Sequence, residues 1–255
     1  MEKPEYARLT VLVDNLSLRE DLATDYGLSI YIEVGSGASK WRLLFDVSGS
    51  PWALLHNARL LGTPIERVDH IIISHMHRDH YYALRELGEV LKPRIVYLPE
   101  PRGVSNRVSE ILENVMVERT AYVRGRVTVA PGVEAFGPVG SSGEISLTLN
   151  VADYRLLIVA CGHAGLRQIF YWSNAKHVDI LMGGFHLKNA SRDDIEEVAH
   201  LALERANLVI GLHCTHWGSG LLGTLLGTRY IDGGVGLTLS LDSRSGLLLY
   251  PPLAL

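Results

Sequence analysis

The chain has 255 residues, 47% of them hydrophobic and 20% charged, with a formal net charge of −4. That length and balance fit one large soluble globular domain, 1–255, with a substantial core. No basic stripe accompanies the acidic balance, so nucleic acid is not an expected partner. Cys161 and Cys214 are the only cysteines, too few for a disulfide framework, which points to a reducing cytoplasm. The start Met1-Glu2-Lys3-Pro4-Glu5-Tyr6 has no signal pattern, and no apolar run is long enough to span a bilayer, so no membrane is expected. Gln168 is the only glutamine, a scarcity that points to a thermophile.

In chain order, Leu9–Val13, Leu28–Val34 and Trp41–Phe45 are short apolar or β-branched runs between turn residues, and they read as an opening β-meander. Ser50-Pro51 starts a helix with a cap and a first-position proline, and Gly62 stops it. A strand follows at Val68–Ser74, then a helix near Ala83–Leu91, a strand at Ile95–Leu98 and a helix near Val104–Val115. Further strands are expected around Val127–Val129, Val133–Phe136, Ile145–Val151 and Arg155–Ala160, with a helix over Leu166–Ala175. Ile180–Met182 is another strand. Ser191 and Asp194 form a capping box for a helix reaching about Ala206, and Leu208–Leu212 is one more strand, ending in His213. The tail Leu247–Leu255 is apolar enough to dock on its own domain or on a second copy in a homodimer.

The segment His75-Met76-His77-Arg78-Asp79-His80 packs four metal-ligand side chains into six positions, directly after a buried strand. A solvated turn ordinarily draws on Gly, Asn, Asp and Ser rather than His, so the pattern suits a metal better than a turn. His75 and His77, two apart, can face one ion. Asp79 and His80 diverge and reach most easily toward a second. Imidazole with carboxylate suits zinc, iron, manganese or cobalt, and zinc is the default because it needs no redox control.

The hexapeptide resembles the HxHxDH signature of the metallo-β-lactamase superfamily. More narrowly, Leu12-Val13-Asp14-Asn15, Leu54-Leu55-His56-Asn57-Ala58, Cys161-Gly162-His163-Ala164-Gly165, Gly183-Gly184-Phe185-His186-Leu187 and His213-Cys214-Thr215 resemble one branch, over about residues 9–240. That branch contains dihydropterin ribofuranosylaminobenzene 5′-phosphate synthases together with metal-dependent hydrolases. The resemblance implies a four-layer αββα sandwich, which the element order permits.

It also implies metal ligands at His75, His77, Asp79, His80, His163 and His213, forming a site for one or two ions. Residues 81–162 hold no His, so either His163 supplies the third imidazole that the resemblance implies or the first site is incomplete. The bridging Asp usual in the superfamily is missing at Cys161-Gly162-His163. Asp46, at the end of Leu43-Leu44-Phe45, resembles the carboxylate that orients a ligand imidazole. Asn15, His186, Cys161 and His216 are expected behind the ligands or against substrate. Tyr81, with Tyr82, is expected to narrow the pocket mouth or stack on a flat substrate. His56, His70, His177 and His200 are read as packing or solvated residues.

These residues point to a metal-dependent hydrolase acting through activated water, with Asp79 orienting the nucleophile or carrying a proton. The expected partner is a small, phosphorylated or ester- or lactone-type substrate. The pterin-pathway synthase is the alternative at substrate level. A di-iron redox centre or a metal-dependent binding protein is the alternative in another class.

Overall fold

The computed structural model describes residues 3–100, 112 and 115–251. The chain opens with β1 (Tyr6–Val13), β2 (Ser29–Ser36) and β3 (Ser39–Phe45), then α1 (Pro51–Leu60), β4 (His70–Ile72), α2 (Arg78–Leu87), β5 (Ile95–Pro99) and β6 (Arg119–Val123). A second run comprises β7 (Gly125–Ala130), β8 (Val133–Val139), β9 (Glu144–Val151), β10 (Tyr154–Val159), α3 (Leu166–Ser173) and β11 (Val178–Gly183). It continues with α4 (Arg192–Arg205), β12 (Ala206–Gly211), α5 (Ser219–Leu226) and β13 (Tyr230–Asp232), after which β14 (Thr238–Asp242) and β15 (Gly246–Tyr250) return to the first sheet.

Among the described residues the strands form an eight-stranded sheet, β15-β14-β1-β2-β3-β4-β5-β6, and a seven-stranded sheet, β13-β12-β11-β10-β9-β8-β7. Both are mixed. β3 to β6 run parallel in the first sheet and β10 to β13 in the second. Parallel neighbours must be joined by crossovers, and these carry the helices that cover each outer face.

Side-chain alternation sorts each strand between two cores. Phe45 and Ile72 point inward, against Leu147, Leu156 and Ile158 of the facing sheet. Leu44, Ile71 and Ile73 point outward onto Ala53 and Leu54 of α1 and Ala83 and Leu84 of α2. Leu157 and Val159 do the same in the second sheet, beneath Ile169 of α3, Ala199 of α4 and Leu222 of α5. The result is an αββα sandwich. Each fully buried branched side chain contributes about 1.5–3 kcal/mol, and a one-residue slip of β4 would reverse the whole assignment.

The caps read from sequence form as expected. The Ser50 side chain accepts from Ala53 N, and Ser191 with Asp194 makes the reciprocal box. Other boundaries differ. α2 starts at Arg78, not near Ala83, so Asp79 and His80 lie in a helical first turn rather than in a loop. The acidic Asp79 suits that turn's positive end. The chain also forms β6, α5 and β13–β15, which were not anticipated. β15 pairs antiparallel with β14, so residues 247–250 dock on the protein's own sheet. The helix expected near Val104–Val115 falls almost wholly outside the described residues. No helix among them is long and apolar enough to cross a membrane.

Candidate metal centre

The carboxyl ends of the parallel strands meet along one edge of the sandwich. Asp46 follows β3, the hexapeptide follows β4, Cys161-Gly162-His163 follows β10, His186 lies just past β11 and His213 just past β12. Crevices at strand carboxyl ends are where open α/β sheets place ligands. The turns are tight. Asp46, Ser48, His186 and His213 all adopt positive φ (58°, 66°, 56° and 51°), a conformation that non-glycine residues hold only where surrounding contacts dictate it.

Backbone bonds pin the hexapeptide at several points. Val47 N donates to His80 O (2.9 Å), Leu28 N to Asp79 O (3.3 Å) and Ile145 N to Ser74 O (2.8 Å). A Cβ on Gly27 would stand 2.6 Å from Asp79 O, so glycine is what lets that segment approach.

One buried carboxylate orients two imidazoles. Asp46 accepts Ser74 N at Oδ1, and Ser74 Oγ and His80 Nδ1 at Oδ2, each at 2.7 Å. The single hydroxyl proton of Ser74 goes to Asp46, so its oxygen accepts from His75 Nδ1 at 2.9 Å. The Nδ1 atoms of both rings therefore carry the proton, and both Nε2 atoms turn a lone pair toward the cluster. These tautomers follow from the hydrogen-bond network.

His213 is held in the same way by Asn15. Gly27 N donates to Asn15 Oδ1 and Asn15 Nδ2 donates to His213 O (3.4 and 3.3 Å), which fixes the amide's orientation. Oδ1 then accepts from His213 Nδ1 at 3.0 Å. Among the described residues, His213 Nε2 is left buried with no hydrogen-bond partner.

The donor atoms gather in two groups. In the first, His75 Nε2 lies 3.0 Å from His77 Nδ1 and 3.2 Å from His163 Nε2. In the second, Asp79 Oδ2 lies 3.6 Å from His80 Nε2 and 3.4 Å from His213 Nε2. Ring nitrogens at this spacing repel when they present lone pairs, and a cation relieves both that and the orphaned Nε2 of His213. The residues present therefore fit one or two divalent ions.

The electrostatics favour neutral rings at His75 and His163 and an ionised carboxylate at Asp79. Burial, then the neighbouring rings, pushes His75 well below its ordinary value. Burial and His186 hold His163 down to about 4. Burial pulls Asp79 upward, but His213 and His80 outweigh it and hold the carboxyl at about 2. For His80, burial opposes the charge and Asp46 favours it, with a net shift upward.

Three contributors escaped the reading of the sequence. Glu144, buried at the start of β9, accepts Cys161 N and Gly162 N at Oε1 (2.9 and 3.0 Å) and His163 N at Oε2 (2.9 Å). It shapes the whole Cys161–His163 turn. Asp14 accepts His213 N at Oδ2 (2.8 Å) and His216 Nε2 at Oδ1 (2.6 Å). Ser74 relays Asp46 to His75. The available signal was a lone polar residue abutting an apolar run, at Asp14 after Val11–Val13 and at Glu144 before Ile145.

Of the remaining expected residues, His186 packs with its ring tilted 57° and centred 4.5 Å from that of His163, and its N donates to Cys214 Sγ. His216 lies behind the site through Asp14. Cys161 Sγ comes within 3.3 Å of His80 Nε2, inside the cluster rather than behind it. Tyr81, on α2, is half-buried and packs against the outer core, because the helix that starts at Arg78 carries it to that face.

A cleft of about 570 Å³ opens beside the first group, lined by Gly162, His163, Arg167, His186, Lys188 and Glu197 among others. On the side of the second group, Tyr26 packs 5.1 Å from His213 and 5.8 Å from Trp217. Lys188 Nζ lies 5.0 Å from the Tyr26 ring and 5.2 Å from the Trp217 ring.

The sequence pattern of the metallo-β-lactamase superfamily matches residues 32–163, from β2 through the hexapeptide to His163. Two relatives come from Methanocaldococcus jannaschii. The uncharacterized protein MJ0448 is 23% identical over 236 residues, covering 81% of this chain and 90% of its own. The 7,8-dihydropterin-6-methyl-4-(β-D-ribofuranosyl)-aminobenzene-5′-phosphate synthase is 25% identical over 239 residues, covering 72% and 81%. The solved structure of Tm1679, described as a metal-dependent hydrolase of the β-lactamase superfamily, aligns with a TM-score of 0.74 at 22% identity, over 92% of this chain and 99% of its own. At that identity the likeness speaks to fold. The matched stretch and the shared sandwich lead to one conclusion: the chain belongs to the metallo-β-lactamase superfamily.

Proposed function

We propose that the protein is a metal-dependent hydrolase acting on a small phosphorylated, ester or lactone substrate. One or two divalent ions would be held by His75, His77 and His163 and by Asp79, His80 and His213. The observation that carries this reading is the convergence of ring nitrogens, three of them turned inward as lone pairs by fixed partners. Imidazole-rich sets with one carboxylate suit zinc first. Such ions, when bound, bring the pKa of water from about 15.7 to near 7 and stabilise charge developing on a substrate oxygen.

The chain's own residues do the rest. Asp79 stays ionised through the working range and offers an acceptor that orients an attacking water. His186, exposed at the cleft, would be the proton donor to a leaving group. Lys188 lines the same cleft and supplies a cation for a phosphate or carboxylate. Two unpaired thiols, Cys161 and Cys214, suit a reducing cytoplasm.

The test is a panel of phosphodiester, phosphomonoester, lactone and thioester substrates with added zinc or manganese. Turnover in one class, lost on chelation and in Asp79→Ala, is expected. Silence across the panel would sink the hydrolytic reading, and stoichiometric iron with a visible band would move it to a redox centre.

A second reading is a reaction like that of the synthase relative. Its support is the match over 81% of that protein and the Tyr26–Trp217 pair, capped by Lys188, beside His213. Exposed aromatic faces with a cation suit a flat, anionic molecule. A dihydropterin should quench Trp217 fluorescence, and the quench should vanish in Trp217→Phe. No binding removes this reading.

A further inference from the structure

Two triads of potential ligand atoms share one residue. His75, Cys161 and His163 bring their ligand atoms within 4.8 Å of one another, and so do His80, Cys161 and His213. Cys161 is common to both groups among the described residues. Its sulfur is buried and lies 3.3 Å from His80 Nε2. Glu144 fixes its position by accepting the Cys161 N–H. The second group also holds the orphaned Nε2 of His213, so an unsatisfied donor atom faces the same point as the sulfur.

We propose that Cys161 is the bridging ligand of this centre, a thiolate shared by two ions where the superfamily's usual carboxylate is absent. The inference rests on the reading that the cluster binds metal. The chemistry permits it. Metal–sulfur bonds near 2.3 Å let one sulfur span two ions about 3.5–4 Å apart. Binding exchanges the thiol proton for metal: the S–H bond breaks, sulfur keeps the electron pair as the S–metal bond, and the proton leaves to solvent. No oxidant or reductant is involved. Glu144 serves as the positioning residue for the bridge. A soft thiolate at the centre also biases the pair toward zinc, cobalt or iron over magnesium.

Cobalt(II) is the probe, because thiolate coordination produces an intense near-ultraviolet charge-transfer band that imidazole and carboxylate do not. The whole protein, stripped with chelator and refilled, should bind two cobalt ions with this band. Cys161→Ser should lose the band and bind the second ion at least tenfold more weakly. Cys161→Asp should recover two ions without the band. Cys214→Ser should keep the band, since Cys214 Sγ points to the Cys161 carbonyl and to His186 N.

Cobalt bound without the band, or a band that survives Cys161→Ser, overturns the bridge and leaves the metal centre standing. Failure of the wild-type protein to bind cobalt at all overturns both.

Discussion

Replacing Asp46 by Asn isolates what its charge does. The backbone there has φ of 58°, which Asn tolerates better than most residues, so the turn should persist. The carboxylate, however, serves three donors at 2.7 Å each: Ser74 N, Ser74 Oγ and His80 Nδ1. An amide has one acceptor oxygen. If that oxygen keeps Ser74 N, the NH2 group faces the other two. His80 must then accept at Nδ1 and carry its proton on Nε2, which removes the lone pair from the cluster. The Ser74 hydroxyl, deprived of its acceptor, turns to donate to His75 Nδ1 and reverses that ring as well.

Loss of such an outer partner ordinarily costs 10–100-fold in metal affinity, or roughly 1.4–2.8 kcal/mol per ion. With two ions bound, both should weaken in Asp46→Asn, whereas Asn15→Leu, which among the ligand rings frees only His213, should weaken one. Competition against a chromophoric chelator reads both affinities, with a thermal melt to confirm folding. Unchanged affinities in folded Asp46→Asn would refute the tautomer argument, and loss confined to one ion would refute the Ser74 relay.

Glu144→Gln leaves at least one of three buried amide donors facing an NH2 group. About 1–3 kcal/mol should be lost per orphaned donor, visible as a lower urea midpoint; an unmoved midpoint counts against Glu144 as the anchor of that turn. His163 is held at about 4, below the ordinary 6.5, so the unfolded chain takes up its proton first as pH falls. Metal-free stability should therefore drop between about pH 6.5 and 4, less steeply in His163→Asn, and equal slopes in chelator would sink the assignment. A Cβ on Gly184 would meet Ala160 O at 2.3 Å and Cys214 Sγ at 2.8 Å, so Gly184→Ala should cost about 1–3 kcal/mol. Gly220 in α5 has open space around it, and Gly220→Ala should stabilise by up to about 1 kcal/mol; the reverse order of melting temperatures would contradict both.

Much of the fold was legible because apolar periodicity is a local property. The runs at Leu9–Val13, Trp41–Phe45 and Arg155–Ala160 became β1, β3 and β10, and the Ser50 and Ser191 caps form as the capping residues require. α2 was misplaced because His-Arg-Asp-His carries no helix signal of its own. The segment is held instead by bonds from Val47 and Leu28, distant in sequence. β6 and β15 are edge strands with partly exposed patterns, and such strands take shape from their neighbours' ladder groups more than from their own side chains.

The sequence by itself determined which residue types were available for chemistry: four potential ligands in one hexapeptide, and isolated histidines each following an apolar run. Side-chain chemistry and local spacing suffice for that. Only the tertiary structure decided how they combine. Asp46 and Ser74 are 28 residues apart, and Asn15 and His213 are 198 apart. Their hydrogen bonds, not their spacing, choose which ring nitrogen faces inward. Cys161 looked like an ordinary small buried residue because nothing in Ala160-Cys161-Gly162 says that two strand ends from different sheets converge on its sulfur. Packing the two sheets face to face is what brings those ends together.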